Sequence, residues 1–338
     1  MAITIRDVAR QAGVSTATVS RALRGLPNVD AATRARVEAV AKELDYVISP
    51  SASRLASGRT GSIAVVTPYI ARWFFGMILT GVESVLQNAG VDVLLISVDT
   101  SEGAPRNLVA PKLRRRVDGV LVLVLPPDDE DLKAILDLGM PTSLIGVNQP
   151  GVTSVTIDDV LTARIATQHL INLGHRRIGI IGGQPILGPF TAEHDRTSGF
   201  LAALAAAGIG FDPMLEAYGY FTIPGGEQAM TALLTLPNRP TAVLCMSDEM
   251  AYGAMRALRN HGLQPGRDMS LVGIDGHDMS EFLDLTTVVQ PVADLGRIAA
   301  ESLLQQIELG ASAGAARDIR LPTQLVVRGS TAPIGVHA

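Results

Sequence analysis

Cysteine is nearly absent from this 338-residue chain: Cys245 stands alone, so no intramolecular disulfide can form. That residue reads as a small buried hydrophobe rather than a thiol nucleophile. No group of cysteines and histidines has zinc-ligand spacing, so no metal is expected. Aromatic residues make up 4% and charged residues 18%, against 47% hydrophobic, so the apolar content is aliphatic and the chain globular rather than disordered. Long hydrophobic runs are missing too. The run Val120–Leu125 is far short of the ~18 residues a membrane helix needs, and the start, from Met1 to Asp7, has no apolar leader. A soluble, cytoplasmic protein is expected, with no membrane partner. Neither G-x-G-x-x-G, a P-loop, G-x-S-x-G nor H-E-x-x-H occurs, and Ile181–Gly188 is glycine-rich without any of these spacings. No catalytic set and no cofactor are therefore assigned.

The length is too great for one ordinary core and suggests two or three folding units. Net charge is −5, but residues 1–60 hold nine Lys/Arg against five Asp/Glu, +4, which leaves −9 on the remainder. A basic head on an acidic body suits a protein that meets phosphate at one end only.

That head reads as three short helices. Thr4 caps the first, with Asp7 three residues on, and Gly13 ends it in a left-handed turn. Ser15 caps the second, Thr16–Leu23, which places Val19 and Leu23 inward and leaves Thr16, Ala17, Ser20 and Arg21 outward. The third begins near Asp30 and turns Val37, Val40, Ala41 and Leu44 inward. Helix, glycine turn and helix is the pattern that lays a helix in the major groove, with a plain helical hairpin as the alternative. Residues 49–60 hold little to bury except Leu55 and read as a linker. Beyond it, β-branched runs near 62–67, 92–97, 119–125, 142–147, 177–182, 241–246 and 271–275 alternate with helical patterns near 74–89, 129–138, 159–173, 193–207, 248–261 and 292–309. About ten strands in this rhythm predict two parallel-sheet α/β units.

The run Thr4–Leu23 resembles the lactose/galactose-repressor (LacI/GalR) family of bacterial transcription regulators almost residue for residue. The likeness continues through Asn172–Ile178, Ser247–Ala251, Val272–Asp275 and Leu325–Thr331. It implies an α/β architecture: a helix-turn-helix domain at 1–48, a hinge at 49–60, and a two-lobed periplasmic-binding-protein-like, doubly wound body at 61–338. One lobe then takes about 61–160 and 291–321, the other about 161–290 and 322–330. By position, Thr16 and Ala17 match the family's base-choosing residues and Arg21 one that reaches a guanine edge. The chemistry agrees, since a guanidinium pairs bidentately with guanine and Thr or Ala touches a thymine methyl. Ser15, Thr18 and Asn28 carry short polar groups suited to phosphate. Leu55, nine residues after Tyr46, matches the leucine that opens the central base step from the minor groove, which favours a central CG. Ile48–Ser49 stand where the family commonly has Pro-Asn, and proline falls instead at Pro50.

In the body, the resemblance implies an effector cleft contacted by Tyr69, Trp73, Asn148, Arg196, Phe221, Ser247, Asp248 and Asp275. Arg196 matches the effector-binding arginine, Asp275 the effector carboxylate and Phe221 the stacking aromatic. Ser247-Asp248 replace the common Asn-Asp, and Tyr69–Phe75 is more aromatic than the usual Asn-Pro-Phe loop. Charged forks and a ring suit a polyhydroxylated ligand, so a carbohydrate is expected, with a purine or another small metabolite behind it. His175-Arg176-Arg177 follow Gly174 and read as cations complementing a helix C-terminus. The expectation is a non-enzymatic repressor, a homodimer on a pseudopalindromic operator in double-stranded DNA, controlled by a small effector and acting at the bacterial nucleoid. No leucine heptad follows Arg328, so a tetramer is not expected. The rival is a nucleotide- or sugar-dependent α/β enzyme with a basic accessory domain.

Overall fold

A computed structural model describes residues 3–23, 25, 27–46, 59–98, 109–183, 191–312 and 314–335, in two compact units. The hinge residues Ile48, Ser49, Pro50 and Leu55 lie outside the described residues, as does the glycine-rich stretch beyond Gly183.

The N-terminal unit holds three helices, α1 (Ile5–Ala12), α2 (Thr16–Leu23) and α3 (Ala31–Glu43). Each starts where a side chain satisfies the first free backbone N–H groups. The Asp7 carboxylate accepts from the Thr4 N–H at 3.0 Å, Ser15 Oγ from the Thr18 N–H at 3.1 Å, and Asp30 from the Thr33 N–H at 2.8 Å. Gly13 ends α1 at φ +67°, a left-handed conformation a side chain would strain. Val8, Ala9, Ala12, Val19, Ala22, Val37 and Ala41 are buried, with Val40 and Leu44 partly buried against them, so all three helices close on one small core. A second segment, Arg115–Asp118, groups with this unit, and the Asp118 carboxylate accepts from the Thr60 N–H at 2.6 Å and the Gly61 N–H at 2.7 Å.

The larger unit is built on two six-stranded sheets. The first uses β1 (Ser62–Thr67), β2 (Asp92–Ser97), β3 (Gly119–Leu123), β4 (Thr142–Ile145), β5 (Thr153–Ile157) and β11 (Asp318–Leu321), all parallel, in the order β11-β5-β4-β3-β1-β2. The second uses β6 (Ile178–Gly182), β7 (Glu216–Tyr218), β8 (Ala242–Cys245), β9 (Ser270–Asp275), β10 (Thr286–Val289) and β12 (Gln324–Val326), in the order β12-β10-β9-β8-β6-β7. Only the β10–β12 pair is antiparallel there. β3, β4, β5, β6, β8 and β9 are buried at every position, which is why they read as continuous apolar or Thr/Ser-Val runs instead of alternating ones.

The chain passes between the sheets three times: after β5, between β10 and β11, and between β11 and β12. Helix α7 (Asp159–Asn172) follows the first passage and packs on α8 (Thr191–Ala206). Helix α12 (Val292–Leu309) follows the second and packs on α4 (Trp73–Asn88) of the first lobe. Helices α9 (Ile223–Leu234) and α10 (Asp248–Asn260) pair on the second lobe. Two expectations are corrected here. The strand expected to reach residue 125 ends at Leu123, where Val124 turns to φ +58°. The described strands number twelve, not about ten, the extra ones being short or polar. No helix among the described residues is long and apolar enough to cross a membrane.

Candidate functional site

In the N-terminal unit, α2 buries Val19 and Ala22 and leaves Ser15, Thr16, Ala17 and Arg21 exposed, with Thr18 half-buried. The Arg21 Nε donates to the Ala17 carbonyl 3.3 Å away, which lays the guanidinium along its own helix. Ser15 and Thr18 share a 2.9 Å hydroxyl hydrogen bond at the N-terminus of α2, where unpaired N–H groups and the helix dipole favour an anion. Asn28 is exposed at φ +70° in the turn before α3.

In the body, the carboxyl ends of strands from both sheets converge on a cavity of about 720 Å3, open mouth included. That is where open parallel sheets place ligands. Its polar end is a buried cluster. Arg196, on α8, is 5% exposed; its Nε donates to Asp159 Oδ1 at 2.7 Å, one Nη donates to the Met246 carbonyl, and Asp275 Oδ1 lies 3.9 Å away. Burial works against the guanidinium charge, but Asp159 and Asp275 more than offset it. Asp275 closes β9 at φ +133°, an uncommon conformation for a residue with a side chain. Burial pushes its carboxyl pKa well up, with Arg196 pulling the other way, and Gln290 Nε2 donates to it at 2.7 Å. A ligand hydroxyl entering here meets a guanidinium and acceptor oxygens that water screens little.

The other end is apolar: Phe74, Phe75, Val124, Ile157, Phe221 and Leu295 line it. Tyr220 and Phe221 both sit at positive φ, +55° and +53°, which aims the Phe221 ring inward. Gly183 makes room for that ring, since a Cβ there would stand 2.1 Å from Phe221 Cε2. Beside this cavity, Trp73 at the start of α4 meets the second lobe. Its indole stacks on His277 with centroids 4.5 Å apart and 21° between planes, and Nε1 donates to Asp278 at 3.4 Å. Burial lowers the His277 pKa against the pull of Asp248 and Asp278. Such a pair contributes about 0.5–1.5 kcal/mol beyond its buried area.

Of the residues expected to meet an effector, the structure brings Arg196, Phe221, Ser247 and Asp275 together on the cavity lining. Ser247 also caps α10, its Oγ accepting from the Met250 N–H at 3.2 Å. The expectation for Asp248 needs correction, because its carboxylate is committed inside the second lobe. It accepts from the Gly276 and His277 N–H groups at 3.0 and 2.9 Å, from Ser280 at 2.8 Å and from Thr287 at 2.6 Å. It shapes the loop carrying His277 instead of facing the cavity. Tyr69 lies off the lining, with the Arg72 guanidinium 3.7 Å over its ring and Phe75 at its edge. Asn148 is exposed in a neighbouring surface hollow with Asp158, Asp195 and Arg320.

His175 is corrected as well. It is 4% exposed, bonded to Thr241, Ser270 and the Ala332 carbonyl, and burial lowers its pKa, so it is a neutral staple rather than a cation at a helix end. Arg176 donates to the Ala207 carbonyl, and Arg177 to the Asn238 carbonyl and Asp212. Cys245 is buried, with its thiol pKa raised. Sequence reasoning missed Asp159, Gln290 and Arg72, each of which follows a strand or precedes a helix and so looks like an ordinary cap.

A helix-turn-helix head joined to a two-lobed body with a charged cleft defines a ligand-responsive DNA-binding regulator. Residues 4–49 match the family described as bacterial regulatory proteins, lacI family, and residues 167–331 match the periplasmic binding protein-like domain. The HTH-type transcriptional repressor CytR of Escherichia coli (strain K12) is 36% identical over 98% of this chain and 96% of its own length. The lac repressor dimer bound to operator and the anti-inducer ONPF superposes with a TM-score of 0.87 at 30% identity, covering 98% of this chain and 100% of that one. The transcriptional regulator CelR–cellobiose complex superposes at 0.70 and 33% identity, covering 97% and 100%. The chain belongs to the lacI family of bacterial regulatory proteins and is a DNA-binding transcriptional regulator.

Proposed function

We propose that this regulator is a homodimeric repressor at the nucleoid, whose hold on a pseudopalindromic operator is set by a carbohydrate bound between its two lobes. The observation that carries the reading is the buried Arg196–Asp159–Asp275 cluster with Gln290 at the floor of the cavity. Charges taken out of water need polar partners, and a ligand rich in hydroxyls would supply further ones. Arg196, Asp159, Asp275 and Gln290 would fork onto vicinal hydroxyls, Ser247 would donate a further bond, and Phe221 with Phe74 would cover the apolar face of the ring. Trp73 would hold the lobes shut over the ligand through His277 and Asp278. The lac repressor and CelR complexes, with their operator, anti-inducer and cellobiose, support the same arrangement by likeness.

On DNA, Arg21 would read a guanine edge, Thr16 and Ala17 the adjoining bases, and Ser15, Thr18 and Asn28 the phosphates, which fixes register. Leu55 would wedge a central CG step. A two-fold pair of α2 helices reads two half-sites, which is why a dimer is part of the proposal. Control requires only that the ligand bind one lobe arrangement better than the other; a coupling of about 1–3 kcal/mol changes operator affinity about 5–150-fold.

The test is selection of binding sites from a random pool of double-stranded DNA by the purified protein. Enrichment of a symmetric site with a central CG supports the reading and the Leu55 wedge together. Symmetric half-sites without a preferred centre keep the dimeric repressor and remove the wedge. No enrichment at low salt, with and without a mixture of sugars, overturns the reading.

A further inference from the structure

Three consecutive arginines, Arg114, Arg115 and Arg116, stand exposed in the loop before β3, with Lys112 just ahead of them. They form the densest positive run among residues 61–338, which together carry a net −9. None of them lies on the lining of the cleft. Among the described residues no ion pair involves Arg114 or Arg115. The one acid of the loop, Asp118, gives both carboxylate oxygens to backbone N–H groups, those of Thr60 and Gly61. Arg115 holds φ +58°, where an L side chain is strained by about 1–2 kcal/mol. Strain of that kind persists where the surrounding structure holds the residue in place.

The bond from Asp118 decides where this charge works. Thr60 is the last residue of the hinge, five residues beyond Leu55. Five residues span at most ~18 Å even fully extended, so the loop is tied close to whatever duplex the hinge meets. A run of guanidinium groups at that distance from a polyanion gains from releasing its counterions.

We propose that Arg114–Arg116 form a second, sequence-independent anion site that takes the phosphate backbone of the operator duplex while head and hinge are docked. The inference rests on the Leu55 hinge reading above. It adds to the DNA grip a segment that runs directly into β3 of the first lobe, so a ligand that shifts the lobes acts on phosphate binding as well as on hinge spacing. Arginine suits the role because its planar fork meets phosphate oxygens bidentately.

The test is a salt titration of full-length protein on a 40-base-pair duplex carrying the selected operator. Wild type is compared with R114A/R115A/R116A and with R114K/R115K/R116K. The alanine variant is expected to bind about tenfold more weakly, uniformly over related operators, and its slope of log K against log salt to fall by about 0.9 for each phosphate it no longer neutralises. The lysine variant restores most of that slope. Thermal melting and dimer dissociation of both variants are expected to match wild type. An unchanged slope and affinity overturns the proposal, and so does a weaker dimer with an unchanged slope, which would make the arginines an interface between copies. Failure of wild type to bind this duplex would instead sink the operator reading itself, so the two failures are separable.

Discussion

On α2 of the head, Thr16, Ala17 and Arg21 stand exposed over a core formed by Val19 and Ala22; at the floor of the cleft, Arg196 and Asp275 are 5% and 7% exposed. In the proposed function the two surfaces bind by opposite means. The head presents side chains that folding does not need, so changing one leaves the three helices intact. The cleft presents charges already desolvated, so each is part of the fold and of the proposed ligand site at once. A DNA reader can be edited cheaply, whereas an effector site of this kind cannot.

The contrast is widest at Arg196. Arg196→Met leaves Asp159 and Asp275 buried without their cation, and about 3–5 kcal/mol of body stability is expected to go, read by urea unfolding. An Arg196→Met body as stable as wild type would break the contrast. Asp275→Asn keeps the size and the bond from Gln290 but replaces the titratable carboxyl and its second oxygen with an amide; sugar affinity is expected to fall by about 1.5–3 kcal/mol, roughly 10–150-fold, by calorimetry. Arg21→Ala is expected to cost about 1–3 kcal/mol of operator binding with selectivity relaxed at one base position, and to leave sugar binding and melting of the body unchanged. Ser15→Ala removes the cap of α2 and is expected to lower stability of the head by about 1 kcal/mol, seen in its hydrogen exchange alone.

Acidity separates the two regions further. The folded pKa of Asp275 is raised by burial, so the folded state binds its proton more tightly than the unfolded chain does. Its contribution to stability is therefore largest at low pH and is lost as pH climbs from the ordinary carboxylate range through the raised folded value. Asp275→Asn has no such proton to lose. Melting curves at pH 5 and pH 8 are expected to show the variant gaining on wild type at the higher pH. Asp7 and Asp30 in the head move the other way, lowered mainly by hydrogen bonds from Thr4 and Thr33, so their caps weaken only in acid.

The same difference in environment explains what could be read in advance. The head was legible because its signals are local: Gly13 ends a helix, Ser15 and Asp30 start two, and Val19 with Leu23 mark the inward face, although Ala22 is buried more fully than Leu23. The βα rhythm revealed the parallel sheets, but β5, Thr-Ser-Val-Thr-Ile, and β11, Asp-Ile-Arg-Leu, are too polar to announce burial or pairing. In the cleft, resemblance found Arg196, Phe221, Ser247 and Asp275, yet the cluster comes from several strand ends scattered along the chain. Asp159 opens α7, where an acid is already explained by the helix dipole, so its bond to Arg196 left no trace in the sequence. Asp248 follows β8 and Asp275 ends β9, and the two look alike in the sequence. The loop at Gly276–Ser280 captures one carboxylate, and the other faces the cavity.

The central claim is that occupancy of the Arg196–Asp275 cavity sets the operator affinity of the head. Its most direct measurement is fluorescence anisotropy of the selected operator duplex, titrated with protein in the presence and absence of a sugar mixture, for wild type and Asp275→Asn. The account predicts that sugar changes wild-type affinity at least about fivefold, that the sugar is recovered unchanged, and that Asp275→Asn binds the duplex normally but no longer responds. An Asp275→Asn protein that responds as wild type does, or a sugar consumed during the titration, would contradict it.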